Sequence, residues 1–325
     1  MPEGADRIDS EVWIMVALQQ MLVLFIIMMI GFIAYKKNII TDETSKKLSA
    51  IVVNISNPAL ILSSVTGNAT VTGAELVETM FVAIGMYVFL IAVAALVSVI
   101  IKAPARDRGT YRVMTIFGNV GFMGFPIISS LYGGGALLYA SLFLLPYNIL
   151  IYTYGVWEMC KSSCEGSGAV KKSGRESIKQ IFNIGVIFCI IAVVVYALGI
   201  KFPAWVNTTV SMLSSTTAPL SMMVIGASFA TMNFKKVFLN VRTWVFSALR
   251  LLVIPVLGTF LVSLVTDNPS IIGVTMVMLA VPVGSMTAML AQEYGGDYAL
   301  SSETVAMTTL LSVVTFPIVS MVMHI

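Results

Sequence analysis

The sequence predicts an all-α integral membrane protein of ten transmembrane helices, arranged as two inverted five-helix repeats. Three observations predict this. Of the 325 residues, 58% are hydrophobic and only 11% charged, with a mean hydropathy of +0.94, whereas soluble domains carry about 45–50% apolar and about 25% charged residues. Lys and Arg fall almost entirely in alternate loops. Two apolar segments broken by Gly and Pro occupy matching places in the two halves of the chain.

A spanning helix needs about 20 mainly apolar residues. Ten stretches qualify, near 13–35, 48–66, 76–101, 111–132, 137–159, 180–200, 206–230, 243–265, 271–290 and 301–323. The first is too long for the apolar region of a signal peptide, and Glu3, Asp6, Asp9 and Glu11 precede it where basic residues would be needed. It is expected to be retained behind a short extracellular tail, residues 1–12. The fourth and ninth stretches contain the breaks, Gly118-Asn119-Val120-Gly121-Phe122-Met123-Gly124-Phe125-Pro126 and Ala280-Val281-Pro282-Val283-Gly284-Ser285-Met286.

Charge placement orients the spans. Sixteen of the 19 basic residues occupy alternate loops: Lys36, Lys37, Lys46 and Lys47, then Lys102 to Arg112, Lys161 to Lys179, and Lys235 to Arg242. Arg7 and Lys201 lie on the other side, and Arg250 falls within a span. This bias puts both termini outside the cytoplasm of a multi-pass protein in the cell membrane. The polar stretch Ser162 to Ser177, rich in Gly, Ser and Lys, reads as a solvated linker. It divides the chain into a first repeat (13–161), a linker (162–178) and a second repeat (179–325). Five is odd, so the second set enters the membrane in the opposite sense. The landmarks agree: Pro58 and Pro219 follow polar residues in the second span of each half, and the breaks lie in the fourth.

Apolar spans interrupted by Gly and Pro free backbone groups that hydrocarbon cannot satisfy, so such breaks persist where they line a polar cavity or are buried in protein. A matched pair of them points to the binding site of a secondary transporter. Pro126 and Pro282 would lie at or beside the first turn of a half-helix, where the missing N–H costs nothing. Such a helix start presents free N–H donors and positive potential to a carboxylate. Asn119 adds an uncharged donor and acceptor. Gly121, Gly124 and Gly284 allow close approach of ligand or crossing helix, with simple helix packing as the alternative for Gly118, Gly121 and Gly124. Asn148 is a further polar candidate, or an interhelical hydrogen-bonding group. Tyr147 is also a candidate, with packing or interfacial anchoring as its plainer role, as for Tyr152.

The chain resembles the auxin efflux carrier family, which includes plant auxin exporters of the PIN type and bacterial carriers assigned to malonate and malate. The matching residues are Asn119, Gly124-x-Pro126 and Tyr132-Gly133; Pro146-x-Asn148 and Gly155-x-Trp157; Arg250-Leu251 with Pro255; Pro282-x-Gly284 with Glu293-Tyr294; and Thr308 with Pro317. The resemblance covers nearly the whole chain. It implies crossed broken helices 4 and 9, as in bile-acid transporters, carried by a transport domain that moves like an elevator against a scaffold. It also implies a homodimer through the scaffold helices. Two departures stand out. Val283 replaces a polar residue of the plant exporters, which argues against auxin itself, and the short linker replaces their long cytoplasmic loop.

Arg250 is the one basic residue inside a span, about 12 Å from its basic end at helical rise. Snorkelling to the headgroups is the preferred reading, with an anion guide or a partner for a buried carboxylate as alternatives. Glu158, Glu293, Asp297 and Glu303 fall near the cytoplasmic face and are expected to be solvated. His324, the single histidine, lies at the far terminus. Cys160, Cys164 and Cys189 read as ordinary thiols. No cofactor or metal is expected, and no nucleic-acid partner.

A carrier of small organic anions, mono- or dicarboxylates, follows as the expected function. A monoanion leaving an inside-negative cell gains about 2.3 kcal/mol per 100 mV, so export needs no coupling ion. An intramembrane hydrolase lacks an HExxH pair or a Ser–His dyad. A channel would require a selectivity ring. A membrane sensor or scaffold would be expected to carry a soluble signalling domain. A sodium-coupled symporter of the bile-acid type, or a carrier of neutral or amino-acid metabolites, remains the alternative.

Overall fold

The computed structural model describes residues 3–66, 72–164, 184–231 and 240–323, and their regular structure is helical throughout. Seven segments are long and apolar enough to cross a bilayer: Leu18–Lys36, Asp42–Val65, Gly73–Ile100, Ala136–Lys161, Ala204–Ala230, Val241–Ser263 and Tyr298–Met323. Three shorter apolar helices, Val120–Tyr132, Ile184–Ala197 and Pro269–Ala280, fall at the fourth, sixth and ninth predicted spans. Two of these are short because the chain breaks there, as the Gly and Pro residues predict. Most of the predicted linker, Cys164's side chain and His324 lie outside the described residues.

Helix α1 (Glu3–Lys36) starts well before the predicted span. The second span is α2 (Asp42–Ile51) and α3 (Asn57–Thr66), joined by a π turn at Val52–Ser56. Thr41 caps α2 by accepting from the N–H of Thr44 at 3.2 Å. A capping box formed by Thr72 and Glu75 starts α4 (Gly73–Ile100). The fourth predicted span comprises α5 (Arg108–Ile116), a π turn at Val120–Gly124, and α6 (Phe125–Tyr132). The fifth is α7 (Ala136–Leu150), a π turn at Ile151–Gly155 and α8 (Val156–Cys164). Then come α9 (Ile184–Ala197), α10 (Ala204–Ser215) and α11 (Thr217–Ala230). The eighth predicted span is α12 (Val241–Ala248), a π turn at Leu249–Val253 and α13 (Ile254–Ser263). The chain closes with α14 (Pro269–Ala280), α15 (Ser285–Tyr294) and α16 (Tyr298–Met323).

Three of the π turns share one cause. Val52–Ser56, Val120–Gly124 and Leu249–Val253 each end two residues before a proline, Pro58, Pro126 and Pro255. A proline ring collides with the carbonyl four residues back and donates no N–H to it. Here that carbonyl belongs to Asn54, Phe122 or Leu251, each inside a π turn. Widening the turn relieves the clash, so helical structure continues through the proline.

The helices pack in two groups. In one, α1 lies along α11, and α3 packs against α9 and α10. In the other, α4 packs on α5 and α7, α13 on α14, α15 on α16, and α5 on α8. The groups meet where α1 touches α16, α7 touches α9 and α3, and α11 touches the π turn at Val120–Gly124. Between helices in lipid there is little hydrophobic driving force, so close van der Waals fit governs association. Gly31 and Gly226 provide it for α1 and α11. A methyl on Gly226 would lie 1.9 Å from the Met28 carbonyl oxygen, and one on Gly31 would lie 2.4 Å from that of Met223. The outer surface carries large apolar side chains such as Phe81, Val88, Leu96, Leu257 and Phe260, as a lipid-facing surface requires.

Candidate functional site

The two breaks meet. Helix α5 stops at Phe117, which is extended (φ −101°, ψ 100°), and α14 stops at Val281 (φ −60°, ψ 147°). The extended residues between half-helices pair as a single antiparallel bridge, Gly118 opposite Val283. The N–H of Asn119 donates to the Pro282 carbonyl at 2.7 Å, and that of Gly284 to the Phe117 carbonyl at 3.0 Å. The N–H of Val283 donates to the Thr308 hydroxyl at 3.2 Å. Backbone groups that would be orphaned in hydrocarbon thus satisfy one another.

The glycines divide by role. A methyl on Gly284 would lie 2.8 Å from the Gly118 carbonyl oxygen, and one on Gly118 would lie 2.8 Å from Nη2 of Arg250. These two permit the crossing itself, since neither has a positive φ. Gly124 does not need to be small, because its added methyl would meet Val120 and Val281 only at 3.7 Å; its expected close approach is corrected. Gly121 faces Asn57, whose Nδ2 would be 3.3 Å from an added methyl.

Pro126 takes an early position in α6, but the helical turns begin at Val120, where the Asn119 carbonyl accepts from the N–H groups of Met123 and Gly124 at 3.1 Å. The donors without an intrahelical partner are therefore those of Val120, Gly121 and Phe122. Pro282 lies just outside α15, whose N-cap is Gly284. There the free donors belong to Ser285 and Met286, because Thr287 already donates to the Gly284 carbonyl.

Asn119 stands at the start of the resumed helix, 5% exposed as a residue, with no hydrogen bond to its side chain among the described residues. Tyr147 comes to the crossing as well. Its hydroxyl donates to the Gly118 carbonyl at 3.4 Å, and its ring meets Phe117 edge-on at 5.4 Å. Asn148 is buried and donates to the Leu144 carbonyl one turn back at 2.8 Å, so one of its donors is spent within its own helix. Pro58 is buried, whereas Pro219 is exposed on α11. Thr217 and Ser221, the residues on either side of Pro219 by two, are buried instead, with hydroxyls lacking a partner.

The second span supplies a group that sequence reasoning passed over. Asn57 has its Oδ1 buried without a partner and its Nδ2 directed at Gly121. Beside it, the hydroxyls of Ser56 and Thr216 hydrogen-bond at 2.9 Å, linking the second and seventh spans. The signal was there: an amide directly before Pro58 in an apolar span. Thr308 was visible only as a shared residue of the tenth span.

Arg250 does not snorkel. It is 1% exposed, and its Nη1 donates to the carbonyl of Leu279, near the C-terminal end of α14. Its place in the proline-driven π turn and the packing of that helix against α14 direct the side chain inward. Its Nε is buried without a partner, and no carboxylate pairs with it among the described residues. The expectation of a solvated Glu158 is also corrected. That carboxylate is 2% exposed, accepts from Nη1 of Arg112 at 3.0 and 3.3 Å, and accepts from the Tyr154 hydroxyl at 2.9 Å. Asp297 is half-buried and caps α16 by accepting from the N–H of Leu300 at 2.9 Å. Burial, and next the nearby Asp297, push the carboxyl of Asp107 up from its ordinary range in the loop before α5. Glu293 is exposed as expected, and Glu303 is half-buried.

This constellation has amides, hydroxyls, free helix-start N–H groups and one buried cation. It can bind and orient a ligand. A family model described as "membrane transport protein" matches residues 16–320. The chain is 25% identical over 314 residues to an "uncharacterized transporter" of Methanothermobacter thermautotrophicus, covering 94% of this chain and 98% of that one. It is 23% identical over 310 residues to another of that name from Methanocaldococcus jannaschii, covering 92% and 96%. With nearly every residue of the described bundle inside the match, the chain belongs to this membrane transport protein family, the auxin efflux carriers.

Proposed function

We propose that the protein carries small organic anions, mono- or dicarboxylates, by alternating access, with the substrate held at the crossed breaks. The observation that carries this reading is the bridge of Gly118 and Val283, with Asn119 5% exposed beside it, Asn57 reaching Gly121, and Asn57, Thr217 and Ser221 each burying a side-chain oxygen without a partner. Buried polar groups are normally satisfied; a set left open in an apolar bundle suits a polar ligand. A carboxylate would accept from the Asn119 amide and the free N–H groups at the half-helix starts. Sodium coupling would call for acidic or Gln ligands beside the breaks, and the charged group there is instead the cation Arg250.

In the reading we propose, ten spans form two inverted repeats. The group of α1, α3, α9, α10 and α11 serves as the scaffold and dimer surface, and the group holding both breaks moves as an elevator. The contact of α1 with α16 and that of α9 with α7 are counterparts under such a repeat. Both termini would face away from the cytoplasm.

The test is counterflow in proteoliposomes over a panel of mono- and dicarboxylates, with and without a sodium gradient. Asn119→Ala should fold and weaken transport at least about tenfold, the scale of one or more lost hydrogen bonds to a charged ligand. Unchanged affinity and turnover in that variant would remove Asn119 from the site. Transport that requires sodium would favour the bile-acid-type symporter.

A further inference from the structure

Crossing two broken helices does not by itself make a site for anions. Each helix end carries roughly half a unit charge, positive at the N-terminus and negative at the C-terminus. At this crossing the C-terminal ends of α5 and α14 lie within a few residues of the bridge, and so do the helix starts at Val120 and Ser285. Two ends of each sign nearly cancel. Something else must decide which sign of ligand the crossing prefers.

Arg250 occupies the place where that is decided. Its Nη1 is bound to the Leu279 carbonyl at the end of α14, and its Nη2 lies beside Gly118, just past the end of α5. Both negative ends are thus covered by one full positive charge, while the two positive ends have no countercharge among the described residues. The guanidinium has no carboxylate, its Nε has no partner, and it is 1% exposed. An unpaired buried cation of this kind carries a desolvation cost, which the two helix ends offset only in part. A structural cap would be served by a neutral donor; a full charge left over favours an incoming anion.

We infer that Arg250 is the specificity-determining residue of the crossing: it cancels the negative helix ends, so that the positive ends select a carboxylate over its uncharged analogue, without Arg250 touching the substrate. The inference rests on the crossed breaks being the substrate site. It differs from an anion guide, which would meet the ligand directly.

The test compares paired probes on the purified protein: malonate against malonamide, and phenylacetate against phenylacetamide, by thermal shift and by direct binding. The wild-type protein should favour each carboxylate over its amide by at least about tenfold. Arg250→Met should bring that ratio close to one by weakening the carboxylates, with the amides little changed, and Arg250→Lys should restore most of it. If Arg250→Met does not fold, Arg250→Gln takes its place, because the amide keeps a neutral donor for the Leu279 carbonyl while removing the charge; there too the ratio should fall close to one. Equal loss of carboxylate and amide, or a ratio that survives Arg250→Met or Arg250→Gln, would overturn the inference while leaving the site in place. A wild-type protein indifferent to both carboxylates would defeat the substrate reading itself, and the inference with it.

Discussion

The backbone N–H of Asn119 donates to the carbonyl of Pro282 across 2.7 Å, joining two chain segments far apart in sequence. Its counterpart, Gly284 to Phe117, closes the pair at 3.0 Å. The crossing is therefore a two-residue piece of β-bridge inside a helical bundle, and it depends on the absence of side chains at Gly118 and Gly284. Gly284→Ala should force the segments apart, since its methyl would lie 2.8 Å from the Gly118 oxygen. The expected cost is about 1–3 kcal/mol, typical of overpacking, read as a lowered unfolding temperature in detergent. Gly85→Ala, which meets nothing within 4 Å, is the control and should leave stability unchanged or slightly raised, as Ala favours helix over Gly by about 1 kcal/mol.

Asn57 should separate function from stability. Its Oδ1 has no partner, so Asn57→Leu removes an unsatisfied buried group and should not lower the unfolding temperature. Substrate affinity measured by counterflow should nevertheless fall by about tenfold, the scale of one charge-assisted hydrogen bond. An unaltered affinity would place Asn57 outside the binding site.

Glu158 and Arg112 should behave as a coupled pair. Breaking a buried pair by removing one partner costs about 3–5 kcal/mol. The Arg112 side chain keeps 24% of its surface exposed, so Glu158→Ala should cost less than that range. The double variant with Arg112→Ala should recover part of the loss, and a double-mutant cycle on thermal unfolding measures the coupling. Strictly additive effects would mean that the two residues act independently.

Much of this protein is legible in the chain. The helical class, the positions of the spans and the two breaks follow from long apolar runs and from Gly and Pro within them, because hydrocarbon admits few backbone arrangements. The residues Asn119 and Pro282 could be named from sequence for the same reason. What they touch could not. Pro219 and Pro58 look equivalent in sequence, but one is exposed on α11 and the other buried beside the broken fourth helix.

Side-chain direction was settled only by packing. Arg250 and Glu158 each sit in a stretch where reaching water looks easy, and both are turned inward by partners supplied from other helices: the Leu279 carbonyl for one, Arg112 for the other. Local sequence fixes which backbone groups lack partners; only the folded bundle determines which distant groups meet that need. The π turns mark the boundary between the two. Proline dictates that the helix must widen, while the surrounding helices decide which side chains the widened turn then presents to the crossing.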